Sequence, residues 1–205
     1  MNKKEHWENV YRTKSRDEVS WFREHLDTSM RMIGKTGVGH DGAVIDVGGG
    51  NSTLVDDLIN RGFVDVSVLD ISARAIADSK ERLGPLADRV GWINDDITAV
   101  KLPLFRFDLW HDRAVFHFLT DPADRRKYVE LVKKTVRPGG HVIVASFGID
   151  GPAKCSGLDV MRYSPETMHG EFGGAFRLVE SLAEIHKTPF GTSQEFIYCY
   201  CRKFR

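Results

Sequence analysis

No apolar run in this chain approaches the roughly 20 residues needed to cross a bilayer. Its opening residues, from Met1 to Trp7, hold no apolar stretch of the kind a secretory leader requires. Net charge is absent too: 29 basic residues balance 29 acidic ones, which removes a global drive toward nucleic acid or an anionic membrane. Cysteine is scarce. Cys155, Cys199 and Cys201 are the whole complement, an odd number with no Cys-x-x-Cys pair, which argues against a disulfide framework and a metal site. Repeats and low-complexity tracts are missing as well. These absences leave a cytoplasmic chain of 205 residues, long enough for one full core, with no nucleic-acid or membrane partner expected. They leave its oligomeric state open.

What is present begins at Ala43-Val-Ile-Asp-Val-Gly-Gly-Gly-Asn-Ser-Thr-Leu-Val55: an apolar run, a glycine turn, and a helical pattern opening at Ser52. A second apolar run, Val64–Leu69, ends at Asp70, twenty positions after Gly50. This is the layout of a nucleotide-binding βαβ unit, in which glycines admit a close ligand and the acid accepts from ribose hydroxyls. A dinucleotide fingerprint would place a third spaced glycine where Thr53 stands. Instead an acid, Asp46, sits inside the first strand, two residues before Gly48.

Strand-like and helix-period segments go on alternating, which predicts a parallel sheet covered on both faces. Strands are expected at 43–47, 64–69, 89–93, 107–110 and 141–147. Helices are expected at 72–83 and after Asp121-Pro122, with the Arg137-Pro-Gly-Gly140 turn stopping the latter. The stretch 148–164 reads as a surface loop or lid, 165–171 as a short helix, and 176–185 with 195–202 as an antiparallel pair. The fold class is therefore α/β, a three-layer doubly wound sandwich of five parallel strands plus a C-terminal hairpin, seven strands in all. Residues 1–40, with helices expected at Trp7–Tyr11 and Trp21–Ile33, would form a helical cap, and 41–205 the ligand-binding domain.

On these residues the chain resembles the class I, seven-stranded S-adenosylmethionine (SAM)-dependent methyltransferases over roughly residues 40–205. The resemblance implies SAM as cofactor, with S-adenosylhomocysteine as its product. It implies that Asp46, Gly48, Gly49 and Gly50 meet the methionine part, that Asp70 holds the ribose, and that Ile71 packs on the adenine. Asn94-Asp95-Asp96-Ile97 matches the motif whose acid accepts from the adenine amine, with Asp95 and Asp96 both candidates. Asp108-Leu-Trp-His-Asp112 matches the fourth-strand motif, whose end faces sulfonium and acceptor, so His111 and Asp112 are the candidate catalytic pair, His111 also touching the cofactor. Tyr11 and Trp21, with Trp7 and Phe22, read either as packing aromatics or as a cover over the sulfonium.

The acceptor is far less legible, because methyl transfer from a sulfonium asks mainly for alignment and water exclusion. Asn-Pro-Pro-Tyr, which orients nucleobase amines in related enzymes, is replaced by Asp-Leu-Trp-His. The Asp-x-x-Tyr of one lysine-methylating branch is missing, since Asp112 is followed by Arg113, Ala114 and Val115. Cys155, Arg162 and His186 are the candidate acceptor-binding residues, each with a structural alternative: a small buried thiol, a salt bridge to Glu166, a turn-stabilising histidine. Transfer to a heteroatom of a small molecule leads. Protein methylation, for example of lysine, and a silent SAM-binding subunit are the alternatives, along with a NAD-dependent oxidoreductase, which Thr53 and the hairpin oppose.

Overall fold

A computed structural model describes residues 2–204. Seven strands form one sheet: β1 (Val44–Val47), β2 (Val66–Asp70), β3 (Val90–Asn94), β4 (Phe107–Arg113), β5 (Val136–Phe147), β8 (Phe176–Lys187) and β9 (Ser193–Lys203). Their order is β3-β2-β1-β4-β5-β9-β8, with β6 (Lys154–Cys155) and β7 (Leu158–Asp159) a separate small hairpin. The first five are parallel; β9 runs antiparallel to β5, and β8 to β9. The expected seven-stranded α/β fold is the one observed. All four residues of β1 are buried, as a strand covered on both faces requires.

The side-chain alternation of the strands sorts the core into two layers. On one face Val44, Val66, Val68, Leu109 and Ile143 pack with Met30, Met32 and Ile33 of α2 (Asp27–Thr36) and with Leu54, Val55 and Leu58 of α3 (Leu54–Asn60). The other face joins Ile45, Val47, Trp110, Val142 and Val144 to Tyr128, Val129 and Val132 of α5 (Pro122–Thr135) and to Met168 and Phe172 of α6 (Pro165–Phe172). The helix α4 (Ala73–Leu83) is capped by Ser72, whose hydroxyl accepts from Ala75 N–H. Helix α1 (Lys3–Thr13) touches α4 and lies over the carboxyl ends of the parallel strands. Strand order reverses between β1 and β4, and in open α/β sheets ligands sit outside such a reversal.

Four local expectations change. Trp21 and Phe22 are outside any helix; α2 begins only at Asp27. The carbonyls of Ser20 and Trp21 are taken by His186 Nε2 (2.7 Å) and Arg113 Nη1 (3.1 Å), so tertiary bonds override the helical pattern there. The Arg137–Gly140 turn is drawn into β5 as a bulge: Phe107 pairs with Val136, and Leu109 next with His141. The expected loop 148–164 contains the β6–β7 hairpin, turned by Ser156 and Gly157, both at positive φ. At α3 the cap position falls to Thr53, one residue later than expected, and Ser52 Oγ accepts from Leu54 N–H instead.

Candidate functional site

The site grows from the carboxyl end of β1. Asp46 lies beside His111 of β4 in register, and both are buried. Asp46 Oδ1 is 2.7 Å from His111 Nδ1, and His111 Nε2 is 2.9 Å from Ser29 Oγ of α2. The second carboxylate oxygen, Oδ2, is buried and has no hydrogen-bond partner. Beyond Val47 the chain turns at Gly48, whose φ of +71° favours glycine and where a Cβ would stand 2.0 Å from Val115 Cγ2. At Gly49 a Cβ would stand 2.1 Å from the orphaned Asp46 oxygen. These two glycines keep backbone and carboxylate open to a ligand.

Asp70 closes β2. Its Oδ2 accepts from Gly50 N–H (2.9 Å) and its Oδ1 from Ser72 N–H (2.8 Å). Burial pushes its carboxyl up to about 6, against the pull of those two bonds. Asp70, Ile71, Asp95, Asp96 and Ile97 line one cleft. Asp96 Oδ1 accepts from the Thr98 backbone and hydroxyl, both at 2.8 Å, while Asp95 is exposed and Oδ1 accepts from Asp96 N–H. The adjoining pocket holds Asp46, Gly49, His111 and Arg16, and both regions share Tyr11, Trp21, Gly48 and Arg113.

The opposite wall is aromatic. Trp7 packs edge-on against Trp21 (5.8 Å between centroids) and Phe118 (5.0 Å), and Tyr11 against Trp21 (6.4 Å). Helix α1 carries Trp7 and Tyr11 and is tied at two points. Glu8 accepts from Ser72 Oγ and the N–H groups of Ala73 and Arg74 at the start of α4, and Lys3 Nζ reaches Asp124 Oδ2 of α5 at 3.0 Å. Cys155 lines the same cleft; burial pushes its thiol up to about 11.

The structure thus brings Tyr11, Trp21, Asp46, Gly48, Gly49, Asp70, Ile71, Asp95, Asp96, Ile97, His111 and Cys155 to one connected cleft, and Gly50 into its turn. Asp112 lies elsewhere: fully buried, it accepts from Tyr128 OH (2.6 Å) and Val115 N–H (2.9 Å) behind the cleft. Arg162 reaches the carbonyls of Ile149 and Gly151, outside the cleft lining. His186 is buried in β8, where its Nε2 bonds the Ser20 carbonyl, and it does not line the cleft. Glu8, Ser29 and Arg113 were not among the expected site residues. Arg113 had a readable signal, a cation ending the apolar β4 run; Glu8 and Ser29 gain their places only through tertiary contact.

The donor set suits SAM. A buried, unpartnered carboxylate oxygen answers a cationic amine, the Gly48–Gly49 turn leaves room for it, Arg16 answers a carboxylate, and Asp70 answers a diol. No helix among the described residues is long and apolar enough to cross a membrane, and no metal-binding cluster occurs among them.

Comparison with known proteins follows the same line. Residues 45–142 match the family described as "Methyltransferase domain". Human EEF1A lysine methyltransferase 2 is 24% identical over 204 residues, covering 89% of this chain and 77% of that protein. A solved structure described as "Conversion of a Disulfide Bond into a Thioacetal Group during Echinomycin Biosynthesis" superposes with a TM-score of 0.81 at 17% identity, covering 99% of this chain and 93% of the other. The Burkholderia thailandensis 1,6-didemethyltoxoflavin-N1-methyltransferase, bound to S-adenosylhomocysteine, superposes at 0.69 with 19% identity, over 88% and 78% of the two chains.

Proposed function

The chain belongs to the class I SAM-dependent methyltransferases and takes its methyl group from that cofactor, and from this premise we propose that it passes the group to a heteroatom of a small molecule admitted beneath α1. One observation carries the choice of acceptor. Helix α1 is strapped across the cleft by Glu8 at α4 and by Lys3 at α5, its own Tyr11 is buried, and so is Cys155 in the cleft lining. A chamber so covered suits a small molecule better than an extended peptide.

In this reading Asp46 Oδ2 holds the methionine ammonium and Arg16 the carboxylate, with His111 fixing Asp46 between Ser29 and the β1 strand. Asp70 accepts from the ribose, and Ile71 and Ile97 pack on the adenine with Asp96 as acceptor for its amine. SAM supplies a sulfonium-bound methyl group that leaves by in-line displacement. Trp7, Tyr11, Trp21 and Phe118 exclude water from that path and offer ring faces to positive charge. His111, bonded at both ring nitrogens, acts as a positioning residue here rather than as a free base, and Asp112 serves the β4–α5 packing.

A second reading, transfer to a lysine of a partner protein, is supported by the likeness to EEF1A lysine methyltransferase 2. The two separate in a SAM-consumption assay run across small thiols, amines, hydroxyls and carboxylates beside fractionated cell extract. Turnover with small molecules is expected; turnover with protein fractions alone would transfer the assignment to the second reading.

A further inference from the structure

β4 does not pass directly into α5. Between them the chain turns over residues 114–119, and Ala114 in that turn has a φ of +75°, in the left-handed region. A non-glycine residue pays for such a conformation, which persists only where the surroundings fix it. Asp112 supplies that hold. Fully buried near the end of the strand, it accepts at Oδ1 from the N–H groups of Val115 (2.9 Å) and Phe116 (3.4 Å), the two residues after the left-handed one. Its Oδ2 accepts from Tyr128 OH (2.6 Å), and that hydroxyl accepts in turn from Trp110 Nε1 (2.9 Å). Two further contacts fasten the turn. Ala114 N–H donates to the Ala145 carbonyl of β5 (2.9 Å), and the Phe116 ring packs at 4.9 Å from Tyr128 and 5.5 Å from Tyr163 and Phe172.

This turn serves both halves of the cleft. Ala114, Val115, Phe118 and Leu119 all line it. Val115 packs on the glycine turn after β1, so closely that Gly48 has no room for a side chain. Phe118 stands edge-on to Trp7 of α1 at 5.0 Å. Through two backbone amides, one buried carboxylate therefore sets a contact to the turn that meets the cofactor and a contact to the aromatic cover. In-line displacement tolerates little error in the placing of donor and acceptor. A residue that touches neither reactant can thus govern the rate.

We propose that Asp112 is a positioning residue for methyl transfer: by holding the left-handed turn at Ala114, it keeps Val115 against the cofactor turn and Phe118 against Trp7. This rests on transfer taking place in the cleft read above, and it holds for a small-molecule and a protein acceptor alike. The two amide bonds do the positioning, while the bond to Tyr128 serves the packing of α5. Breaking the Tyr128 bond and removing the carboxylate therefore differ in consequence, although both leave buried polar groups without partners.

The test compares variants of the full chain: Asp112→Ala, Asp112→Asn, Tyr128→Phe, and Asp112→Ala combined with Ala114→Gly. Thermal unfolding reads stability, calorimetry reads S-adenosylhomocysteine affinity, and turnover is SAM consumed per folded molecule with unfractionated cell extract as acceptor source. Asp112→Ala and Tyr128→Phe should both melt at lower temperature, since each strands buried polar groups. Only Asp112→Ala should lose function, with turnover down roughly 10- to 100-fold and S-adenosylhomocysteine affinity down roughly 3- to 10-fold. Asp112→Asn keeps an oxygen for the two amides and should turn over close to wild type. Glycine adopts a φ of +75° without strain, so adding Ala114→Gly to Asp112→Ala should recover part of both losses with the carboxylate still absent. Turnover that falls equally in Asp112→Ala and Tyr128→Phe, in step with stability, would overturn the proposal, as would normal turnover and affinity in Asp112→Ala. A wild type that consumes no SAM with extract would count against the reading of the reaction, and the affinity series would then decide this inference by itself. Should Asp112→Ala not fold, amide exchange in the wild type decides. The N–H groups of Val115 and Phe116 should exchange as slowly as those of β4, and exchange as fast as that of Ala123 N–H, which Asp121 Oδ1 accepts at the start of α5 (2.8 Å), would end the proposal.

Discussion

The two halves of the cleft are built in different ways. The half assigned to the cofactor is made of strand ends and the turns that follow them: Asp46 to Gly50, Asp70 with Ile71, Asp95 to Ile97. Each piece is short, local and placed by the sheet. The half we assign to the acceptor has no such grammar. Trp7 and Tyr11 come from α1, Trp21 from an irregular segment, Arg113 from the end of β4 and Cys155 from the β6–β7 hairpin. A ligand shared by a whole family is met by parts the fold itself provides, whereas an acceptor particular to one enzyme is met by pieces that only tertiary structure brings together.

Removing the acceptor wall tests this division most severely. Deleting residues through Phe22 takes away α1, both tethers and three of the four rings, while leaving α2 and its buried Met30, Met32 and Ile33 in the core. Turnover should fall by roughly 10²-fold or more, because alignment and water exclusion are lost together. The truncated protein should stay folded by circular dichroism and keep weakened SAM binding by calorimetry. Its stability should fall as well, since His186 and Arg113 lose the Ser20 and Trp21 carbonyls at about 1–3 kcal/mol for each unsatisfied group. Full activity in the truncated protein would erase the distinction between the halves.

The complementary cut is Asp70→Ala, which should weaken SAM binding by roughly 1–3 kcal/mol with the fold intact. A pH titration sharpens it. The folded carboxyl titrates at about 6, above its ordinary 3.8, so it gains a proton in the folded protein as the pH drops through 6. SAM affinity in the wild type should therefore decline below about pH 6, and the part of that decline owed to Asp70 should be absent from the variant. The sign for stability is the reverse. Asp70's contribution to the unliganded fold is fully present below pH 3.8 and is lost as the pH rises through about 6. Asp112, also lifted to about 6 by burial, acts with the same sign in both proteins and cancels from the difference.

How much could be read from sequence follows this division. The alternating apolar runs fixed five strands and the final hairpin because a buried parallel strand tolerates little but apolar side chains, and Val44–Val47 is buried throughout. The glycine turn was legible for a steric reason: a side chain at Gly48 would run into Val115. The helical period over 21–33 carries no information about who will take the carbonyls of Ser20 and Trp21, which is why Trp21 departs from it. Arg162 is a loop cation next to a tyrosine, and nothing in the sequence marks that it bonds Ile149 and Gly151 rather than an acceptor.

Glu8 joins the two halves, and the smallest effect is expected there. Burial alone would raise its carboxyl, but the N–H groups of Ala73 and Arg74, the Ser72 hydroxyl and the Lys4 charge together hold it below the ordinary glutamate value. It therefore caps α4 from outside that helix and fixes α1 over the cleft in one contact. Glu8→Ala should cost about 0.5–2 kcal/mol of stability, the range for losing a helix cap, with the protein still folded at neutral pH. The amides of Lys3–Thr13 should exchange faster, and turnover should drop more than SAM affinity because the chamber opens before the cofactor site is disturbed. A depressed folded pKa contributes stability above the unfolded value of 4.5 and loses it as the pH falls through the folded one, so the gap between wild type and variant should close in acid. Equal protection of α1 in both proteins would show that Lys3 and the rings hold the helix without Glu8, and that the two halves are joined through packing rather than through this carboxylate.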